Sequence, residues 1–276
     1  MMKSAVTRFA PSPTGHLHLG HAYSANIAWQ SGEICPLRIE DIDPTRCKPE
    51  FETALYEDLA WLGFTWPSPV RRQSDHMNDY RICLEKLDAM GVLYPCFCTR
   101  KEIQDEIHES PGAPQSPNEH YYPGTCKKLS NSERLNLIAA GRPYALRLDS
   151  DRAYRMTAPL SWHDHYKGEQ SIYPEIIGDV VLARKETPTS YHLCVTHDDA
   201  LQGVTLVTRG EDLFHATHIH RLLQALLGLP TPLYAHHKLL TDERGIRLAK
   251  RNKSISIREM RNKGFSAAQL MSMIAS

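Results

Sequence analysis

The chain has 276 residues, of which 41% are hydrophobic and 23% charged, a size and make-up that support a sizeable folded core and exclude a disordered chain. Thirty-two basic residues balance thirty-two acidic ones, which excludes attraction of a polyanion to the molecule as a whole. Any surface for nucleic acid must be local.

Residues Ala5–Ala10 read as a short strand, Pro11–Gly15 as a loop unable to continue it, and His21–Gln30 as a helix. A second apolar stretch, Cys35–Ile39, precedes the acidic turn Glu40-Asp41-Ile42-Asp43-Pro44, after which Phe51, Ala54, Leu55, Leu59 and Leu62 recur at helical spacing. This β-α-β-α order predicts a parallel sheet with helices on its faces. Tyr80, Leu84 and Leu87 mark a further helix. From Tyr94 the pattern changes: cysteines enter, Ser110–Pro123 is rich in Pro, Ser, Gly and Asn, and Tyr144–Leu148 and Asp179–Ala183 look like short strands. The α/β rhythm then returns with short strands at Tyr191–Val195 and Val204–Val207 and a helix at His215–Leu227, closed by Gly228 and Pro230. The expected architecture is a split, doubly wound parallel sheet of the α/β class, with residues 1–93 and 186–240 as its two halves. Residues 94–185 form an inserted subdomain, and residues 241–276 a basic loop with a short helical tail.

Met1 to Gly15 carries Arg8, Pro11 and Pro13 where a secretory leader needs an apolar run, so no signal peptide is expected. The most apolar segment, Leu222–Leu229, is far shorter than the ~20 residues that span a bilayer. Seven cysteines, three of them grouped as Cys96, Cys98 and Cys126, suit a metal and a reducing compartment better than a disulfide framework. The expectation is a cytoplasmic monomer with no membrane partner. One basic stretch stands out: Lys238–Lys263 holds nine Lys or Arg against three acidic residues, a local excess of +6. By itself such a run is as often a solvated face as a phosphate-binding surface.

The segment Arg8-Phe9-Ala10-Pro11-Ser12-Pro13-Thr14-Gly15-His16-Leu17-His18-Leu19-Gly20-His21 carries the most chemistry. Its small residues let a ligand approach the backbone, and the helix that follows offers N–H groups and a positive dipole end to phosphate. His18 and His21 lie one turn apart there. Taken alone, the pair also suits a surface contact or half of a metal site.

This segment resembles the "HIGH" signature of class I aminoacyl-tRNA synthetases in its bacterial glutamyl form, with His18-Leu19-Gly20-His21 as the signature. Arg38-Ile39-Glu40-Asp41-Ile42-Asp43-Pro44-Thr45-Arg46 is similar to the glutamyl stretch after the second strand. Arg247-Leu248-Ala249-Lys250-Arg251 resembles the "KMSKS" loop, with Arg247 for the usual first lysine and Ala249 for the usual serine. The likeness runs in order over most of the chain. It implies a Rossmann-type catalytic domain in which His18, Gly20, His21 and Lys250 meet ATP, with Mg2+ as activator. Recognising glutamate takes a cation for its carboxylates and an anion for its ammonium, and arginine is best suited to the first task. The resemblance assigns that work to Arg8, Ser12, Glu40, Tyr191 and Arg209, with Glu40 at the amino group.

Cys96, Cys98 and Cys126 are one ligand short of a tetrahedral zinc site, and on spacing His120, Tyr121 or Tyr122 would complete it. The short glutamyl-type enzymes called glutamyl-Q tRNA(Asp) synthetases carry a similar Cys-x-Cys and Tyr-x-x-x-Cys set. That resemblance implies one structural zinc with Tyr122 as fourth ligand. After Lys250 only 26 residues remain, which leaves no room for the helical region with which a full glutamyl-tRNA synthetase reads the anticodon. The expected function is therefore ATP-dependent activation of glutamate and its transfer to the queuosine base in the anticodon of tRNA(Asp). Two alternatives stand beside it: ordinary charging of a tRNA 3′ end, and a non-catalytic tRNA-binding module with a decayed loop. Asp198 and Asp199 have no assigned role at this point.

Overall fold

The computed structural model describes residues 5–99, 101–103, 122–184, 186–240 and 255–275. The strands in chain order are β1 (Arg38–Ile39), β2 (Arg71–Arg72), β3 (Leu93–Cys96), β4 (Ala145–Leu148), β5 (Ser161–Asp164), β6 (Gly168–Ser171), β7 (Val181–Ala183), β8 (Leu206–Gly210) and β9 (Leu233–His237). The helices are α1 (Leu19–Gln30), α2 (Pro49–Trp61), α3 (Met77–Ala89), α4 (Asn131–Ala139), α5 (Ser150–Thr157), α6 (Pro174–Ile177), α7 (Tyr191–Leu201), α8 (Phe214–Leu227), α9 (Ile257–Asn262) and α10 (Ala267–Ala275).

The N-terminal segment joins the two halves of the main sheet. Val6 and Phe9 bridge in parallel to Ile34 and Leu37 on one side, and the Val6 carbonyl accepts from the N–H groups of Thr205 and Leu206 on the other. The segment expected as the strand Ala5–Ala10 is thus extended but makes isolated bridges rather than a regular ladder. Pairing continues outward through β1 to β2 in one direction and through β8, β9, β5 and β6 in the other, and the β5–β6 step is antiparallel. From Leu93 onward, β3, β4 and β7 form a separate antiparallel sheet, while β5 and β6 extend the main one.

Local chemistry sets the helix ends. Pro49 opens α2, where its missing N–H costs nothing, with Glu50 and Glu52 on the favourable side of the helix dipole. Gly228 closes α8 in the left-handed region at φ 67°, where a side chain would be strained. Two apolar cores use the sheet. One gathers Tyr80, Leu84 and Leu87 of α3, Leu193 of α7 and Ile219, Leu222 and Leu223 of α8 around Trp162, Val207 and Tyr234. The other gathers Ala22 and Ala25 of α1, Leu55 and Leu59 of α2 and Ile257 and Leu270 of the tail around Leu37 and Ile39. Each leucine fully withdrawn from water, such as Leu59 or Leu222, contributes roughly 1.5–3 kcal/mol.

Tyr191–Val195 is a correction: it begins α7 instead of forming a strand. A short apolar run interrupted by His192 fits a strand and a buried helix equally, and here the Ser190 hydroxyl caps the helix by accepting from the Leu193 N–H at 3.4 Å. No helix among the described residues is long and apolar enough to cross a membrane.

Candidate active site

The loop after Phe9 is pinned through its prolines. The Pro11 carbonyl accepts from the Glu40 N–H at 3.1 Å and the Pro13 carbonyl from the Lys48 N–H at 3.1 Å, so Ser12, which is exposed, lies beside the backbone of Glu40. His18 then caps α1 with its side chain: Nδ1 accepts from the Gly20 N–H at 3.1 Å. The His18 N–H in turn donates to His21 Nδ1 at 3.2 Å, and the two rings lie 3.8 Å apart. Because both Nδ1 atoms accept, each neutral ring carries its proton on Nε2. The capping box therefore orients two N–H donors at the start of a helix. Ser256, just before α9, bridges to His18, and the Ile257 N–H donates to the Leu17 carbonyl at 2.8 Å.

Arg209, near the end of β8, is 5% exposed, yet among the described residues it forms no ion pair with a carboxylate. Its Nε–H donates to His236 Nε2 at 3.1 Å, Nη1 to His220 Nδ1 at 3.1 Å, and Nη2 to the Thr217 hydroxyl. All three acceptors are neutral. Burial and the Arg209 charge push His220 far below its ordinary value and hold His236 down at about 4, the latter against the pull of Asp164. A desolvated cation held only by neutral groups favours an anion beside it, since a carboxylate would offset part of the cost of burial.

The other charges are arranged differently. Arg8 donates through Nε to Asp199 at 3.0 Å and through Nη1 to the Thr208 carbonyl at 2.9 Å. Arg38, fully buried, donates to Asp199 at 2.8 Å and to Glu40 at 3.1 Å. Its burial opposes the charge, but Asp199, Glu40 and Asp198 outweigh it and raise its pKa. Burial also raises Glu40, against the pull of Arg38 and Arg8. A substrate ammonium beside Glu40 would favour the carboxylate. Tyr191 sits where these charges meet: burial raises its phenol, and Arg209, Glu40, Arg8 and Asp199 all act on it. It is therefore an O–H donor at neutral pH.

Asp198 explains how the frame is held. It accepts from Arg71 at 2.8 Å, from Gln73 at 2.9 Å and from the Tyr80 hydroxyl at 2.8 Å, which fastens α7 to β2 and α3. Burial opposes its charge, yet His197, Arg38 and Arg71 hold its pKa at about 2.

The Sγ atoms of Cys96, Cys98 and Cys126 lie within 4.8 Å of one another, with Cys98 and Cys126 at 3.4 Å and the Tyr122 hydroxyl 3.6 Å from Cys98. Thiolates around a tetrahedral zinc at about 2.3 Å stand about 3.8 Å apart, so this donor set fits. The Phe97 N–H donates to Cys126 Sγ at 3.2 Å. A hydrogen bond from Cys96 lowers the Cys126 thiol, while the same contact and burial raise Cys96. Arg147 lies 3.9 Å above the Tyr122 ring.

A family model for the catalytic domain of class I tRNA synthetases (E and Q) matches residues 4–276. The chain belongs to this family. Among curated relatives, a glutamyl-Q tRNA(Asp) synthetase of Rhodobacter capsulatus is 48% identical, over 98% of this chain and 99% of that protein. A second so named, from Nocardia farcinica, is 39% identical over 97% of this chain and 82% of its own length. A solved glutamate tRNA ligase of Elizabethkingia meningosepticum, in complex with its amino acid, superposes with a TM-score of 0.72 at 26% identity. That match covers 95% of this chain and 54% of the ligase, so the chain spans about half the ligase's length.

In this class I synthetase, Arg8, Glu40, Tyr191 and Arg209 come together, with Ser12 on the adjoining loop and His18, Gly20 and His21 at the start of α1. Cys96, Cys98, Tyr122 and Cys126 form their own cluster. Lys250, with Arg247 and Ala249, lies outside the described residues, as do His120 and Tyr121. Sequence reasoning missed Arg38, Asp164, Asp198, Asp199, Thr217, His220 and His236. The density of histidine between His192 and His237 was a usable signal, since a cluster of neutral acceptors is what a buried cation without a carboxylate needs.

Proposed function

We propose that this chain activates glutamate with ATP and transfers it to the queuosine base in the anticodon of tRNA(Asp). The observation that carries the amino-acid half is Arg209, buried among neutral partners. It suits the γ-carboxylate, while Glu40 suits the α-ammonium and Tyr191 and Arg8 the rim between them. Relatives named for glutamyl-Q tRNA(Asp), one of them matched over 99% of its length, support the acceptor half.

In the first step an oxygen of the glutamate α-carboxylate attacks the α-phosphorus of ATP, and pyrophosphate leaves with the bonding electrons. No side-chain nucleophile is needed, so the protein contributes position and charge stabilisation. His18 and His21 would donate from Nε2 to phosphate oxygens, Gly20 would let the nucleotide approach, and Lys250 would follow the charge that grows on the pyrophosphate. Mg2+ bound with ATP would supply further neutralisation of that charge. In the second step a hydroxyl of queuosine's cyclopentenediol attacks the acyl carbon, AMP leaves, and the hydroxyl proton departs with it or to solvent. Cys96, Cys98, Cys126 and Tyr122 would hold one structural zinc. The reading places the reaction in the cytoplasm.

Incubation of total tRNA with labelled glutamate and ATP, followed by nucleoside digestion, tests the proposal. Label on queuosine is the expected result. Label on the 3′-terminal adenosine would replace it with ordinary charging, and the absence of glutamate-dependent pyrophosphate exchange would leave only a tRNA-binding module.

A further inference from the structure

Asp164 lies far from the motifs, in the β5–β6 hairpin, and is fully buried. One carboxylate oxygen accepts from the N–H groups of Tyr166 and Lys167, each at 3.0 Å, which shapes the turn. The other accepts from the His236 backbone N–H at 3.1 Å and stands 2.7 Å from His236 Nδ1. An ionised carboxylate only accepts, so the ring proton of His236 must sit on Nδ1 and Nε2 must be the acceptor. Burial opposes the charge of Asp164, but the His236 bond and the turn N–H groups keep its pKa below the ordinary carboxylate value. Through Nε2, His236 then receives the Arg209 Nε–H at 3.1 Å and lies 3.1 Å from the Thr217 hydroxyl.

The opposite side of the guanidinium is fixed in the same way. Arg209 Nη1 donates to His220 Nδ1, so the His220 proton is on Nε2, which stands 3.2 Å from His192 Nδ1 and donates to it. Of a guanidinium's five N–H donors, three are taken by the described residues, which leaves one on each terminal nitrogen among them. One donor on each of Nη1 and Nη2 would suit the two oxygens of a carboxylate, whereas the NH2 of a carboxamide would meet a donor.

We propose that Asp164 is a positioning residue for amino-acid selection: by fixing the tautomer of His236 it aims Arg209 at a side-chain carboxylate and disfavours the corresponding amide. The inference rests on the reading of Arg209 as the γ-carboxylate contact. Asp164→Asn tests it almost isosterically. With the amide oxygen kept in the turn, the NH2 faces His236 Nδ1 and drives the ring proton to Nε2, where it opposes the Arg209 Nε–H.

The measurements are glutamate-dependent pyrophosphate exchange without tRNA and the 15N shifts of the His236 ring, assigned by their loss in His236→Gln. The parent is expected to show His236 protonated on Nδ1. In Asp164→Asn the proton should move to Nε2, KM for glutamate should rise roughly 10- to 100-fold with KM for ATP within about twofold, and preference for glutamate over glutamine should fall. On an Arg209→Lys background, which keeps the charge and loses the fork, Asp164→Asn should cost less than about threefold more. A parent His236 protonated on Nε2 overturns the inference even if the variant fails to fold. So does an unchanged glutamate KM in Asp164→Asn while Arg209→Ala raises it, or a full additive loss in the double variant. If Arg209→Ala itself leaves glutamate KM unchanged, the reading beneath the inference fails instead.

Discussion

Arg209 and Glu40 are both buried and charged, but they are held in opposite ways. Glu40 already has Arg38 at 3.1 Å, whereas the three hydrogen bonds of Arg209 go to neutral atoms. Removing Arg209 therefore takes away the formal charge of that nest, and two charge-assisted hydrogen bonds at about 1.5–3 kcal/mol each, roughly 3–6 kcal/mol together, correspond to a loss of glutamate affinity of roughly 100- to 10,000-fold. Arg209→Ala is expected to raise glutamate KM to that extent with ATP KM nearly unchanged; an unaltered glutamate KM would take Arg209 out of the site. Glu40→Gln should likewise weaken glutamate without unfolding the chain, since Arg38 keeps Asp199 at 2.8 Å. The buried histidines give a pH prediction. Burial first, and positive neighbours second, hold His192, His218 and His236 each at about 4 against an ordinary 6.5. A histidine kept neutral by the fold binds its proton better when unfolded, so its stabilisation is full above pH 6.5 and is lost as pH falls from 6.5 towards 4. Asp58, raised to about 6 by burial despite Arg258 and Arg261, acts in the opposite direction over part of this window and offsets about one of the three. Asp198 acts lower, its contribution disappearing between 3.8 and about 2. The melting temperature should thus fall from pH 6.5 to 4, and His236→Gln should remove about one proton from the slope. A flat profile in the parent across that range would refute the assignment of neutral buried histidines.

At the scale of elements, the cysteine cluster sits where the separate sheet begins. Cys96 ends β3, Phe97 and Cys126 share a hydrogen bond, and Tyr94, Ile103 and Tyr122 close a small apolar cluster around the sulfurs. A cluster this small gains from a metal because binding energy at a closed site becomes folding energy. Protein prepared without chelator should contain about one zinc per chain, and Cys98→Ser should lose it, with hydrogen exchange accelerated in β3, β4 and β7 but not in β8 and β9. Absence of zinc from the parent would end the metal assignment. The same elements mark what a single sequence discloses. The Cys96–Cys98 pair and the first loop with α1 were legible because their members sit within a few residues of one another, where spacing is geometry, whereas Cys126, 28 residues beyond Cys98, was joined to them through the resemblance. The β5–β6 hairpin was not legible: β5 is only Ser161–Asp164, and its second inward position is an aspartate, so the alternation of buried Trp162 and Asp164 carries little apolar signal. Its place beside β9 depends on a pairing across seventy residues of chain, Asp164 with Tyr234, that no local pattern encodes. The partners of Arg209 were hidden for the same reason. Thr217 and His220 come from α8 and His236 from β9, and only the register of β8 against β9, with Arg209 opposite His236, brings them together.

For the whole molecule, the proposed second transfer requires a chain of zero net charge to hold a polyanion. The basic excess of Lys238–Lys263 is the candidate surface, and its described members Lys238, Arg258, Arg261 and Lys263 are exposed. Ser256 bridges to His18, which ties that segment to the first motif at the start of α1. Phosphate contacts made there release counterions, so tRNA use should weaken steeply with added salt while pyrophosphate exchange, which needs only small substrates, changes little. That separation in salt dependence is expected whichever hydroxyl accepts glutamate, so a second arm must identify the acceptor. Queuosine presents a vicinal diol, and so does the 3′-terminal ribose. A tRNA(Asp) anticodon stem-loop bearing queuosine has the first diol without the acceptor end of the tRNA, and it should take glutamate at a rate comparable with whole tRNA. Full-length tRNA from cells unable to make queuosine has only the 3′ diol in that role, and it should take none. Mild periodate on the stem-loop, with its own 3′ end blocked, should abolish acceptance by cleaving the remaining diol. Efficient charging of unmodified tRNA(Glu), lost when its 3′ ribose is oxidised, would reverse the conclusion and make the acceptor that of an ordinary glutamate tRNA ligase.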